Sequence, residues 1–115
     1  MPLLRIQTNQ SVAPDAVGPL LETLTTLVAQ ELSKPREYVQ VVFEPDRPMA
    51  FAGTLDPTAF VELRALGLPA DKTQALSAAL CEAVHQQLGV APDRVFLNFA
   101  DVPRTHWGWN RSTFG

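Results

Sequence analysis

Two stretches of the chain repeat apolar residues at helical spacing, one over residues 17–32 and the other over residues 71–88. Steps of three and four residues place these apolar side chains on one face of each predicted helix. Pro35 limits the first helix, because the residue before a proline is pushed out of the helical region. The second helix is predicted to be capped by Asp71, with Gln74 as its capping-box partner, and to stop at Gly89.

Four segments rich in β-branched and aromatic residues are predicted to form strands, at residues 3–8, 38–43, 59–66 and 95–100. The order is strand, helix, strand, and then the same again. The segments that lead into the second and fourth strands also resemble each other, which indicates two copies of one β-α-β unit. A right-handed crossover makes the strands of each unit parallel. We therefore predict an α+β fold in one domain, residues 1–115, with both helices on the same face of the sheet.

The face of the sheet without helices is the informative one. Along the fourth strand, side chains alternate between the two faces, and both sets include large apolar residues such as Leu97 and Phe96. Burying one large apolar side chain contributes roughly 1.5–3 kcal/mol. A second subunit is therefore expected to cover this face in a closed oligomer, whose order the pattern leaves open.

Composition excludes several classes of protein. The chain is 46% hydrophobic and 18% charged with a net charge of −3, so it has neither a basic footprint for nucleic acid nor a polybasic patch for a membrane. Cys81 is the single cysteine, which rules out an internal disulfide and fits a reducing compartment. No secretory signal is visible, so a cytoplasmic location is expected, with unconventional export left open.

Metal and phosphate chemistry have little support in the sequence. Cys81 and His85 stand four residues apart on a predicted helix, but two ligands do not make a zinc site. Neither a glycine-rich phosphate loop nor a Gly-x-Ser-x-Gly elbow is present. No metal site is therefore predicted.

Several motifs, spread in order over the whole chain, resemble the macrophage migration inhibitory factor family of the tautomerase superfamily. The tail, Trp-Gly-Trp-Asn-x-Ser-Thr-Phe-Gly, is most similar to that of bacterial, cyanobacterial-type members. The matching segments are Met1-Pro2, Lys34-Pro35 ahead of Tyr38-Val39, residues 48–53, residues 92–95 and residues 108–114.

The resemblance implies a specific architecture and activity. It implies a four-stranded mixed sheet with two antiparallel helices on one face, assembled as a homotrimer whose sheets face a central channel. It also implies keto–enol tautomerisation of phenylpyruvate-like substrates, which are small aromatic α-keto acids, without a metal or organic cofactor. The active sites would lie at subunit interfaces.

Pro2 is the catalytic residue that the resemblance implies. Loss of Met1 would leave a secondary amine at the chain terminus, where an ordinary α-amino group has a pKa of about 7.7–8.0. Burial and a nearby cation both disfavour the charged form, and a neutral amine can take a proton from a carbon next to a carbonyl. By position alone, Pro2 would simply be a common second residue.

The resemblance also implies three substrate contacts. Lys34 would bind the substrate carboxylate, Leu66 would contribute its backbone N–H, and Asn98 would reach the site from a neighbouring subunit. Two of these residues have a plainer interpretation: Lys34 as a cation near a helix C-terminus, and Asn98 as an interior amide satisfied by backbone partners.

Aromatic residues of the tail would hold the substrate ring. The resemblance places Trp107, Trp109 and Phe114 at the mouth of the pocket, and Leu3 and Tyr38 would complete it. Tail aromatics are also common packing anchors.

Phe96 is the main departure from the family pattern, because many members have a tyrosine there. The missing hydroxyl puts rate and substrate preference in doubt, and it favours an alternative in which a catalytically weak trimer acts as a binding or cytokine-like signalling protein. The retained Pro2, Lys34 and Asn98 oppose that alternative. A third hypothesis, hydration or dehalogenation as in the wider superfamily, would need additional arginines around the proline, and no matching pair is evident in the sequence.

Overall fold

The computed structural model describes residues 1–115 and contains two helices, a four-stranded sheet and a small tail hairpin. Its elements, numbered along the chain, are β1 (Pro2–Thr8), α1 (Pro14–Leu32), β2 (Gln40–Glu44), β3 (Ala59–Leu66), α2 (Thr73–Leu88), β4 (Val95–Val102), β5 (Gly108–Trp109) and β6 (Ser112–Thr113). Neither helix combines the length and the hydropathy that crossing a membrane requires.

The two halves of the chain form one sheet, and they meet at its two central strands, β1 and β3. Its strand order is β2-β1-β3-β4, in which β1 pairs with β2 and β3 pairs with β4 in parallel. The inner strands β1 and β3 are antiparallel, so the sheet is mixed. The predicted pair of β-α-β units is therefore confirmed. Because β1 and β3 run in opposite directions, the helices that return from them are antiparallel to each other.

Both helices pack on one face of the sheet, as predicted, and enclose the core between them. Leucines and valines spaced three or four residues apart supply the helical half of this core, and alternate residues of β1 and β3 supply the other half. The largest fully buried side chains include Leu4, Ile6, Leu24, Leu63, Leu76, Leu80, Val28, Val61 and Val84.

The ends of the helices follow the predicted stop signals, but the start of α2 does not. Ser33 follows α1 with φ 53° and Gly89 follows α2 with φ 69°, both in the left-handed conformation that ends helices. The predicted cap at Asp71 is wrong. Residues 70–72 form a 3₁₀ turn, and α2 begins after Lys72 without a side-chain cap. The turn from Pro69 occupies the residues that a capping box would need.

Tyr38 lies outside the strand predicted to contain it. Residues 36–38 form a 3₁₀ turn in which the Tyr38 N–H donates to Pro35 O at 3.1 Å, and β2 starts two residues later at Gln40. The proline starts this turn before the extended run can begin. As a result, the Tyr38 ring lies beside the tail rather than on the sheet.

The outer face of the sheet, which no helix covers, is more polar than the strand patterns suggested. Arg5 and Arg64 both approach Glu62, with N–O distances of 3.5 and 3.6 Å. Nearer β2, Gln7 donates to Glu44 at 2.8 Å. The expectation of a largely apolar outer face is therefore wrong for its centre, because β1 and β3 place charged residues at their outward positions.

Arg94 holds the long loop between β2 and β3. Its guanidinium donates to the backbone oxygens of Pro57 (2.8 Å), Asp56 (3.1 Å) and Phe51 (3.2 Å). It also lies over the Phe51 ring, 5.1 Å from the centroid. Arg94 thus ties residues 51–57 of this loop to the start of β4 at one end of the sheet.

We expect Leu80→Ala to lower the free energy of unfolding by about 2–5 kcal/mol, because it leaves a cavity at a side chain with no solvent exposure. Chemical denaturation followed by circular dichroism measures the change. The matched control is Leu55→Ala, at a leucine that is 80% exposed, which should change stability by less than about 0.5 kcal/mol. Equal losses in the two variants would contradict this assignment of the core.

Candidate active site

A cleft of about 390 Å³ opens beside the N-terminus of the chain. The ends of β1, α1 and β3 meet there, and the tail closes one side. It is lined by Met1, Lys34, Tyr38, Leu66, Gly67, Arg104 and Phe114. Four of the ten predicted site residues therefore line one cleft: Lys34, Tyr38, Leu66 and Phe114.

Pro2 directly follows Met1, which lines this cleft, but is not itself among the lining residues. It is the first residue of β1 and pairs with Ala65 of β3. At the first position of a strand, the N–H that proline lacks is not needed for hydrogen bonding within the sheet. Less than 2% of Pro2 is exposed. With Met1 in place the Pro2 nitrogen is an amide, and the free amine of the chain belongs to Met1.

The electrostatics of the cleft disfavour a charged amine. Burial, and secondarily the Lys34 ammonium, lower the pKa of the α-amino group below its ordinary value of 8.0. The lining includes Lys34 and Arg104 but no carboxylate. A neutral amine in this position can accept a proton, and the surrounding cations can bind an anion.

Three aromatic rings form a cluster at the mouth of the cleft. Trp109 stacks on Phe114 with 6.0 Å between ring centroids and 15° between planes. Tyr38 meets Trp109 edge-on at 5.9 Å. The β5–β6 hairpin turns at Asn110 and Arg111, both at positive φ, and so brings the two tail aromatics together. An aromatic substrate ring would find flat apolar partners here.

Leu3 and Trp107 do not line this cleft. They line a separate groove of about 330 Å³, together with Arg64 and His106 among others. Strand alternation explains the separation: successive β1 side chains point to opposite faces, so Leu3 faces away from Pro2.

Asn98 and Phe96 lie on the outer face of the sheet, remote from the cleft of their own chain. In the β3–β4 register Asn98 stands beside Glu62 and Phe96 beside Phe60. Phe96 is 63% exposed, and its ring contacts Phe51 edge-on at 4.8 Å. Within one subunit, neither residue can complete the site around Pro2.

Arg104 is the cleft residue that the sequence reasoning missed. A 3₁₀ turn over residues 104–106, which follows Pro103, returns the chain from β4 toward the cleft. The Arg104 Nε then donates to Phe114 O at 3.0 Å, which ties the turn to the tail. The sequence shows only that Arg104 is a cation near the tail, and this does not predict that its side chain lies at the cleft.

Cys81 and His85 have structural partners. The Cys81 thiol donates to Pro92 O at 3.4 Å, and burial followed by the nearby Glu82 raises its pKa. His85 Nδ1 lies 3.0 Å from Val90 O. No group of three or more His, Cys, Asp or Glu side chains is placed to hold a metal ion.

Comparisons with known proteins agree with this architecture. The family model described as macrophage migration inhibitory factor (MIF) matches residues 1–115. The rat macrophage migration inhibitory factor is 37% identical over 115 residues, covering 99% of each chain. A homologue from Trichinella spiralis is 31% identical over 115 residues, covering 99% of this chain and all of its own. The crystal structure of the Prochlorococcus marinus homologue superimposes with a TM-score of 0.93 at 39% identity, covering 98% and 99% of the two chains.

The mixed sheet, the paired helices and the cleft at the N-terminus define a tautomerase-type fold, and the chain belongs to the macrophage migration inhibitory factor family. That family includes proteins with tautomerase activity and proteins with cytokine-like roles.

We expect Lys34→Gln to raise the pKa of the N-terminal amine toward its ordinary value, because the substitution removes one cation that disfavours protonation. Burial still lowers the pKa, so the recovery should be partial. NMR titration of a chain isotopically labelled at its first residue measures it. Lys72→Gln, in the turn before α2, is the control and should leave the pKa unchanged. An unchanged value in Lys34→Gln would contradict the electrostatic assignment.

Proposed function

We propose that the protein is a cofactor-independent keto–enol tautomerase acting on phenylpyruvate-type substrates, with Pro2 as catalytic base once Met1 is removed. The observation that supports this most is the position of the N-terminal amine: it borders a cleft, beside Lys34, where its pKa is lowered. Removal of Met1 would expose the Pro2 nitrogen at this point. A secondary amine that is neutral near pH 7 is suited to reversible proton transfer.

The proposed reaction is an isomerisation that needs no oxidant or reductant. In the direction of enol formation, the Pro2 nitrogen takes a proton from the carbon next to the keto group. The C–H electron pair forms the C=C bond, and the carbonyl π pair becomes an O–H bond as a proton is returned to oxygen. Ketonisation is the reverse, and substrate and product have the same composition.

The remaining groups of the cleft would bind and orient the substrate. Lys34 would pair with the substrate carboxylate, and the Leu66 backbone N–H would donate to it or to the keto oxygen. The substrate ring would lie against Tyr38, Trp109 and Phe114, which already contact one another.

The proposal also requires a homotrimer. Asn98 and Phe96 lie on the outer face of the sheet and could reach only the cleft of a neighbouring subunit. The same assembly would bring Leu3 and Trp107 to that composite site, through the groove they line. Since Phe96 has no hydroxyl, this neighbour would contribute an apolar contact there and leave hydrogen bonding to Asn98.

The free Cys81 thiol is compatible with a cytoplasmic enzyme.

We expect Pro2→Ala to lower kcat/KM for phenylpyruvate ketonisation by about a hundredfold or more, the range of a lost general base. Ultraviolet absorbance follows the reaction, and mass spectrometry must first verify that Met1 is absent from both proteins. Pro14→Ala, at the exposed start of α1, is the control and should remain fully active.

The pH profile gives a second test of the same base. Because only the neutral amine accepts a proton, kcat/KM should rise with pH through a midpoint below the ordinary pKa of a free N-terminal amine, since the burial and the Lys34 charge that lower the pKa of the Met1 amine would act on Pro2 too. Equal activity in wild type and Pro2→Ala, or none in wild type with a free Pro2, would contradict the proposal. Absence of activity would favour the binding or signalling trimer, for which the missing hydroxyl at Phe96 would be the explanation.

We expect the protein in solution to have a mass three times that of its 12.6 kDa chain. Sedimentation equilibrium or light scattering measures this directly. Phe96→Asp should weaken the assembly, since it places a charge on an apolar outer-face contact. Leu55→Asp, at a loop residue that is 80% exposed, is the control and should leave the assembly unchanged. A monomer at micromolar concentration would contradict the composite site.

A further inference from the structure

The cleft holds more positive charge than a monoanionic substrate needs. Beside the α-amino group, whose charged form is disfavoured, it is bordered by the two cations Lys34 and Arg104, and no acidic side chain lines it. This concentration of charge occurs in a chain whose net charge is −3. Because like charges repel, two cations around one cleft, Lys34 and Arg104, cost stability unless a ligand offsets them.

The Arg104 guanidinium makes only one hydrogen bond within the protein. Only its Nε has a partner, the Phe114 backbone oxygen at 3.0 Å. The ion pairs of the chain engage Arg5, Arg36, Arg47 and Arg64, and none engages Arg104. The two terminal guanidinium nitrogens therefore have no protein partner, and together they match a carboxylate in bidentate geometry.

The position of Arg104 separates its role from that of Lys34. Lys34 follows α1, beside the N-terminal amine whose pKa it lowers. Arg104 is bonded to Phe114, which belongs to the aromatic cluster. If the substrate carboxylate binds Lys34 and the ring lies on the aromatics, Arg104 borders the ring rather than the reacting carbons.

We propose that the cleft selects aromatic α-keto acids with a second anionic group on the ring, and that Arg104 binds this group. The inference rests on the proposed function for the orientation of the substrate. Arg104 would be a specificity-determining residue: it touches the substrate but takes no part in proton transfer. Dianionic ring-substituted substrates would then be preferred over phenylpyruvate itself.

The test compares ketonisation of phenylpyruvate with that of 4-carboxyphenylpyruvate. For wild type we expect kcat/KM to be about tenfold higher for the dianion, a factor equal to about 1.4 kcal/mol. Arg104→Gln should abolish this preference, so that kcat/KM falls about tenfold more for the dianion than for phenylpyruvate. Arg111→Gln removes the same charge from the neighbouring hairpin and should retain the preference.

A third variant separates charge from tail structure. Arg104→Lys keeps the cation but loses the fork that bonds Phe114, so it should keep a substantial part of the preference if charge is the cause. Raising ionic strength should reduce the preference in wild type. Equal behaviour of the lysine and glutamine variants would show that Arg104 only anchors the tail, and would overturn the proposal. An equal loss for both substrates would also overturn it.

Binding measured without turnover keeps this inference distinct from the proposed reaction. Calorimetry compares the unreactive ligands phenylacetate and 4-carboxyphenylacetate on the wild type and on Arg104→Gln. Tighter binding of the dianion that depends on Arg104 supports the anion site, even if the protein proves to have no tautomerase activity. Tautomerase activity without any Arg104-dependent difference in binding or in kcat/KM would leave the proposed function intact and overturn the inference.

Discussion

The antiparallel pairing of β1 with β3 is the constraint on which the rest of the structure depends. Each β-α-β unit can close its own parallel pair, but only this central ladder joins the two units into one sheet with both helices on the same side. The register places Pro2 beside Ala65, next to Leu66 and the turn at Gly67. The chain terminus and the end of β3 therefore meet at one point, and the cleft forms there.

Features set by local periodicity could be predicted from the sequence, and features set by long-range placement could not. The helical spacing predicted both helices correctly, and Gly89 predicted the end of α2. Tyr38 was misplaced because a proline-initiated turn delays β2, an effect that β propensity does not include. Asp71 was misassigned as a cap because the 3₁₀ turn after Pro69 replaces the capping box.

The site shows the same division. Lys34, Leu66 and Phe114 were found by resemblance, and the structure brings them to one cleft. Arg104 escaped notice because its place depends on how the chain returns after β4, and no local pattern encodes that path. The polar centre of the outer face was overlooked for a related reason: the pattern was judged from the outer strands, whereas the charged residues belong to the inner ones.

The loop between β2 and β3 is held by a cation whose partners do not titrate. Arg94 binds backbone oxygens instead of a carboxylate, and neither an arginine nor a peptide oxygen changes protonation between about pH 3 and pH 10. The Arg94 tether is thus independent of the proton equilibria that govern the cleft at the opposite end of the sheet.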